Sequence, residues 1–313
     1  MESSARDDTG ARRLDFRILG PVEVHDLGTG ARIVPSGAKQ RALLAALVVR
    51  AGEVLSVDRL VAELWGDAPP TAAANALQAH VARLRRLLGS GAGRSGRQWI
   101  DTYPVGYLLR LGRATTDAQR FHRLSAEGRA VSASDPDHAA ELLRTALELW
   151  RGPALEGSGH GPICLVEADR LEETRLRALE ARYEAALRGT ANGGTIDELE
   201  RLTAAHPLRE RFHELLMAAL YRSGRHTEAL GVYERARRQL RDELGAEPGP
   251  ALRGRMESIL HHSPAAVGQE TALLDLGAEI TRLRAQVEHL TREQEALVRR
   301  FDLLNTPSTA ATV

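Results

Sequence analysis

From Asp117 to about Leu260 this 313-residue chain reads as one amphipathic helix after another, and that run leaves little choice of architecture. Segments 117–131, 136–150, 164–188, 195–205, 208–222, 225–244 and 250–261 each carry apolar residues at helical spacing. The breaks between them are turn and cap residues: Asp135-Pro136, Gly152-Pro153, Gly193-Gly194, His206-Pro207, Gly224 and Pro248-Gly249-Pro250. An amphipathic helix cannot bury its apolar face alone, so helices joined by turns this short must stack on their sequence neighbours. The stretch 207–241, with Pro207, LLMAALYRSGR, Ala229 and Tyr233, fits a helix–turn–helix repeat best.

The segment before this run has a different grammar. Residues 1–13 are polar and charged and read as a disordered leader with no apolar stretch for a signal peptide. Residues 14–35 alternate apolar and polar and break at glycines, so short antiparallel strands are expected. Residues 38–50 form an amphipathic helix closed by Gly52, and Ser56 caps a second helix through Trp65 with Asp58 in its first turn. Gly66-Asp67-Ala68-Pro69-Pro70 is a loop, and Thr71 is expected to cap a third helix to about Leu88. Residues 98–111 read as two strands pivoting at Pro104-Val105-Gly106. Strands, three helices and a hairpin, in that order, predict a winged helix-turn-helix over 14–113.

On the third helix Leu77, Val81, Leu84 and Leu88 fall within about 60° of one another at 100° per residue, a core stripe. Asn75, Ala79, Ala82, Arg83 and Arg86 lie on the opposite face, with Gln78 and Arg85 flanking one side and His80 the other. That face suits the major groove. Ala79 and Ala82 allow close backbone approach, and Arg83 and Arg85 can fork onto guanine or phosphate. Thr71 and the helix N-terminus can hold a phosphate. Thr102, Tyr103 and Gly106, at the hairpin, are the candidate wing contacts. Most Arg-rich helix faces are merely solvated, and the helix acquires its DNA reading from its place between a helix pair and a hairpin.

Charge supports the same division. The formal net charge is zero, yet residues 1–113 hold 16 Lys+Arg against 11 Asp+Glu, while residues 114–313 hold 26 against 31. A basic head on an acidic body fits a nucleic-acid module joined to something else. Cys164 is the only cysteine, which excludes an internal disulfide and any cysteine-cluster metal site. No run of 18 apolar residues exists, so a cytoplasmic protein with no membrane span is expected.

After a linker at 263–272, Leu273, Leu276, Ile280, Leu283, Val287, Leu290, Gln294, Leu297, Phe301 and Leu304 repeat at alternating spacings of 3 and 4. This a/d pattern predicts a coiled coil over 273–304 with Gln294 its one polar break, and 305–313 as a disordered tail. Leu276, Ile280, Leu283, Val287, Leu290 and Leu297 are the expected oligomerisation positions of a homodimer; packing of the same stripe onto the helical domain is the alternative.

Other chemistry-bearing groups are weak. Gly157-Ser158-Gly159-His160-Gly161 has no following Lys and no leading strand, so it is a linker rather than a phosphate loop. His160 and Cys164 alone do not close a metal site. The alternating Glu and Arg of 170–184 form an ordinary charged face. No nucleophile–base set stands out, so no enzyme and no cofactor are expected.

These residues resemble a known group. GAKQRALLAALVVRAGEVLSVDRLVAELWGDAPP, NALQAHVARLRRLLG and IDTYPVGYLLRL look like the DNA-binding domain of the antibiotic-regulatory (SARP) activators of actinobacteria, which is similar to that of OmpR/PhoB-type response regulators. LELWRGPAL, ADRLEETRLRALEARYEAAL, HPLRERFHELLMAALYRSGRHTEAL and YERARRQLRDELGAEPGPALR, with Asp117 and Phe121, look like that group's bacterial transcriptional activator domain. The resemblance covers about residues 14–262. It implies a mainly α protein: an α+β winged helix, an all-α tetratricopeptide-like domain over 114–262, then the coiled-coil helix. It also implies a pathway-specific activator of secondary metabolism that binds direct repeats in double-stranded DNA near the −35 region and contacts RNA polymerase holoenzyme. The H-x-x-R-L-R pattern of the related domains maps DNA contacts onto His80, Arg83 and Arg85. Their polymerase-touching loop maps onto Gly66, Asp67, Ala68, Pro69 and Pro70. The chain departs from the group's relatives in having no receiver domain and no G-x-x-x-x-G-K-[ST] loop, and the coiled coil is not part of the small-member pattern. A helical-repeat scaffold whose winged helix docks protein is the competing reading.

Overall fold

The computed structural model describes residues 13–89, 99–112, 114–159, 161–190 and 194–261. The coiled coil expected over 273–304, with its oligomerisation positions, lies outside the described residues. The chain divides into two compact units, one running to Thr195 and one from Ile196.

In the first unit, β1 (Leu14–Arg17), β2 (Glu23–Asp26) and β3 (Arg32–Ile33) form an antiparallel meander. α1 (Ala38–Val49) follows, then β4 (Leu55–Ser56), α2 (Val57–Trp65) and α3 (Ala73–Gly89). β5 (Ile100–Tyr103) and β6 (Gly106–Leu109) make the hairpin, joined by β4 into a second sheet of order β4-β6-β5. β7 (Thr115–Thr116) was not legible as a strand; it pairs in parallel with β1 and closes the edge of the first sheet. Three helices complete the unit: α4 (Asp117–Val131), α5 (Pro136–Leu147) and α6 (Pro162–Arg188).

Packing does not divide near residue 113. A single apolar core runs from Leu14, Phe16 and Leu19 through Leu43, Leu60, Leu77 and Ile100 to Phe121, Leu143, Ile163 and Leu171. The loop after α5 adds backbone bonds to the N-terminal strands: Arg151 N donates to Leu19 O at 2.8 Å and Leu155 N to Ile18 O at 2.8 Å. At the centre of this seam lies the Asp117 carboxylate, 1 % exposed. It accepts from Ile18 N (2.9 Å), Leu19 N (3.0 Å) and Ala118 N (2.9 Å), and from Arg151 Nη2 at 3.2 Å. Burial raises its pKa, a push only partly offset by those donors. Arg151 Nη1 reaches on to buried Glu23 at 2.8 Å, and Arg120 forks onto buried Asp15 at 2.6 and 3.1 Å.

The second unit consists, among the described residues, of α7 (Thr195–Ala205), α8 (Glu210–Arg222), α9 (His226–Leu244) and α10 (Pro250–Leu260). α8 is buried from Phe212 to Leu220 and packs on both α9 and α10. α9 turns Ala229, Val232, Tyr233, Ala236 and Leu240 inward at helical spacing and ends at Gly245, which takes the left-handed conformation that a helix C-terminus favours. These are paired helices of the tetratricopeptide kind.

Asp117→Ala removes one acceptor from several buried donors and leaves the Arg151 guanidinium without that partner. Urea unfolding should show a loss of about 3 kcal/mol. Acid should act through Asp15 and Glu23. Burial raises both carboxyls, but the Arg120 and Arg17 bonds to Asp15, and the His25 and Arg32 bonds to Glu23, leave each net below its ordinary value. Their stabilisation is complete above the ordinary carboxylate range and disappears as pH falls below it. The urea midpoint should therefore drop between about pH 5 and pH 3, and Asp15→Asn should make that drop shallower.

Candidate nucleic-acid interface

α3 presents two faces of opposite character. Leu77, Val81, Leu84 and Leu88 are 0–1 % exposed, whereas Asn75, Gln78, Ala79, Ala82, Arg83 and Arg86 all face solvent. No Asp or Glu occurs between Ala73 and Gly89. Arg83 and Arg86 make no ion pair among the described residues, so their guanidinium groups stand free on an acid-free helix face.

Arg85 behaves differently. It is half-buried, and its Nε and Nη2 both donate to Ile100 O, at 3.0 and 2.7 Å, with Nη2 also reaching Thr102 Oγ1 at 2.7 Å. Those donors tie α3 to β5, so they are not available to fork onto a guanine. In the free protein this side chain is a strut between helix and wing. Thr102 is exposed with its hydroxyl accepting from Arg85, and half-buried Tyr103 accepts at its hydroxyl from Arg110 Nη2 at 3.3 Å.

Gly106 requires a correction. It is buried, and a Cβ built there would lie 1.8 Å from the Leu55 carbonyl oxygen. It cannot present itself to DNA; it allows β4 to approach β6 in the Leu55↔Tyr107, Ser56↔Gly106 register. The exposed hairpin tip is Pro104-Val105, held down by Val57 N donating to Val105 O at 3.0 Å. Thr71 also departs from expectation. The helix starts at Ala73, and the Ala72 carbonyl accepts from Ala76 N at 3.0 Å, so Thr71 lies one residue before the cap, exposed.

His80 is half-buried against Trp65, their ring centroids 6.0 Å apart, and its Nδ1 is buried without a hydrogen-bond partner. Burial lowers its pKa, and the neighbouring Arg83 and Lys39 charges lower it further. At neutral pH it is an uncharged imidazole and not a phosphate-binding cation. Trp65 carries Lys39 on its ring, 6.0 Å from the centroid, and Lys39 Nζ donates to Leu64 O at the end of α2. Immediately beyond, Gly66, Asp67, Ala68, Pro69 and Pro70 are all exposed. Gly66 turns the chain at φ +57°, its N–H returning to Ala62 O at 2.9 Å.

Sequence reasoning missed one residue that holds this reading head in place. Glu63 is 3 % exposed and accepts from Ile163 N at 2.6 Å and Cys164 N at 3.0 Å, the first turn of α6. The N-cap of α6 is Gly161, which has no side chain to satisfy those groups, so α2 supplies a carboxylate to a helix N-terminus. The signal was present: Glu63 shares a stripe with Leu60 and Leu64, where a charge is out of place unless it is paired. The Cys164 thiol is pushed up by burial and by Glu63, which leaves it unreactive. Among the described residues no three His, Cys, Asp or Glu side chains are grouped to hold a metal, and no helix is long and apolar enough to cross a membrane.

Comparison with known proteins places this geometry. Residues 31–109 match the family described as transcriptional regulatory protein, C terminal, and residues 116–260 match the bacterial transcriptional activator domain. The chain is a SARP-family transcriptional regulator. It is 44 % identical to the transcriptional regulator RedD of Streptomyces coelicolor over 80 % of this chain and 71 % of that one. To the regulatory protein DnrI of Streptomyces peucetius it is 38 % identical, over 80 % and 93 %. A structure of Mycobacterium tuberculosis EmbR, solved with a low-affinity phosphopeptide, matches with a TM-score of 0.76 at 36 % identity, covering 88 % of this chain and 72 % of that one. The SARP regulator is accordingly a DNA-binding transcriptional activator, of a family of regulators rather than enzymes, built on an OmpR/PhoB-like winged helix.

Two substitutions separate scaffold from surface in this head. Gly106→Ala forces β4 off β6 and should cost about 3 kcal/mol in urea unfolding, while Val105→Ala at the exposed tip should stay within about 0.5 kcal/mol of wild type. Glu63→Ala leaves the first turn of α6 without its acceptor and should cost about 1–3 kcal/mol by the same measurement.

Proposed function

We propose that α3 enters the major groove of double-stranded DNA and reads it with Asn75, Gln78, Ala79, Ala82, Arg83 and Arg86, while Thr71, Thr102 and Tyr103 position the phosphates. The observation that carries this reading is the acid-free outer face of α3, with two unpaired guanidinium groups set directly opposite a fully buried stripe. Phosphate contacts supply affinity, and guanidinium forks supply sequence choice. Arg85 and neutral His80 act from beneath, the first holding the wing to the helix and the second packing against Trp65.

In this reading the targets are direct repeats near the −35 region of promoters in a secondary-metabolism pathway. The loop Gly66–Pro70 recruits RNA polymerase holoenzyme. It exposes Asp67, is stiffened by Pro69-Pro70, offers few donors to DNA, and is braced from below by the Lys39–Trp65 contact. Residues 273–304 pair two copies through Leu276, Ile280, Leu283, Val287, Leu290 and Leu297. Linked heads on repeated sites turn the second contact into an intramolecular one.

Arg83→Ala should weaken operator binding by about 1–3 kcal/mol and relax base preference at one position. Arg86→Ala should weaken binding to all sequences and reduce the salt slope by about one. Gel shifts across a salt series measure both, and wild-type affinity in folded variants rejects the interface. A steep salt dependence also rejects the protein-docking alternative. Asp67→Ala should leave the gel shift intact and lower transcription in a reconstituted assay; equal loss of both makes the loop a DNA element. Light scattering of the full chain against one ending at Ser263 should show the subunit number fall, and equal numbers reject the pairing.

A further inference from the structure

The second unit contains a cleft that lies outside the residues proposed to contact DNA. α7, α8 and α9 enclose about 550 Å³. Its floor is His213 and Leu216 of α8 and Val232 of α9, and one wall carries Arg235 and Arg238, a turn apart on α9.

Several arginines elsewhere on the unit are held in ion pairs. Arg225 pairs with Glu228, Arg237 and Arg241 with Glu247, and Arg255 with Glu214. Arg235 and Arg238 make no ion pair among the described residues; Arg238 only donates through Nε to the Glu234 carbonyl at 3.3 Å. Asp242 lies four residues beyond Arg238, but a cation N-terminal to an anion at that spacing is the weaker orientation on a helix, and no bridge forms. His213 is 4 % exposed, with Nε2 at 2.9 Å from Pro207 O. A carbonyl only accepts, so Nε2 carries the proton and Nδ1 is left as an acceptor in the neutral ring. Burial and the nearby Arg235 charge keep that ring neutral.

Two unpaired guanidinium forks beside an apolar floor supply the donors that a carboxylate or phosphate group accepts, which arginine binds in bidentate fashion. The volume lies within the range of small-molecule sites. We propose that this cleft is a binding site for a small organic oxyanion, its carboxylate or phosphate held by Arg235 and Arg238 and its apolar body seated on Leu216 and Val232. Glu200 and Asp242, which also line the cleft, disfavour a ligand with anions at both ends. The site gives the regulator an input that is chemically separate from its DNA face.

Calorimetric titration of the full chain with 4-phenylbutyrate, phenyl phosphate and 4-phenylbutan-1-ol tests this. At least one anion should saturate a single site, with the alcohol at least about tenfold weaker; the stronger anion identifies the oxyanion. The double variant Arg235→Gln, Arg238→Gln changes two exposed side chains and should keep the wild-type melting curve. It should weaken the anions by about tenfold or more and leave the alcohol unaffected. Three results each overturn the proposal: no saturation by either anion below about 10 mM, equal binding of the alcohol, or undiminished anion binding by the folded double variant.

Discussion

The reading head of this activator is held in place by a buried carboxylate that belongs to a different helix from the one it completes. Glu63 of α2 accepts the first-turn amides of α6, whose own N-cap is a glycine. A helix N-terminus buried without acceptors leaves orphan donors at a partial positive charge, and a carboxylate satisfies both at once. The close approach is possible because Gly161 has no side chain; a Cβ there would collide with Glu63. Two residues further on, α2 ends at the Trp65–Lys39 contact and the exposed Gly66–Pro70 loop begins. The loop's position is therefore set by helices that follow the winged helix as well as by the winged helix itself.

The same logic extends across the first unit. Asp117 joins the start of α4 to the end of β1 and, through Arg151, to Glu23. Asp15 receives Arg120 of α4. Each of these carboxylates is nearly inaccessible and each has guanidinium or amide partners, which is the condition under which buried charge is tolerated. Such pairs are directional where an apolar core is not, so they fix how α4 and the α5–α6 loop meet the N-terminal sheet. A DNA-binding module and its companion helices thus share one core.

Arginine serves two purposes on α3, and chemistry alone does not tell them apart. Arg83 and Arg86 stand in solvent, while Arg85, between them in sequence, is folded back onto β5. At 100° per residue Arg85 falls at the edge of the exposed face, close enough to the hairpin for its fork to find a carbonyl. The free basic surface of α3 is consequently narrower than the arginine count suggests, and the wing is coupled to the helix it flanks.

The sequence by itself determined the helices, because apolar periodicity and cap residues are local signals. Ser56, Thr116 and Asp135 begin helices where their side chains accept first-turn amides. It determined the core stripe of α3 for the same reason, and the Pro104-Val105 turn of the hairpin. Tertiary structure decided what depends on distant partners. β7 is two threonines that become a strand only beside β1. Gly106 looked like a contact and is a spacer, because Leu55 arrives from 51 positions away in the chain. His80, mapped as a DNA contact, has its pKa lowered, because Trp65 and its neighbours remove water from one side of the ring. Local pattern reports which face of an element is apolar; what covers that face, and therefore which polar groups remain free to act, is set only when the chain folds.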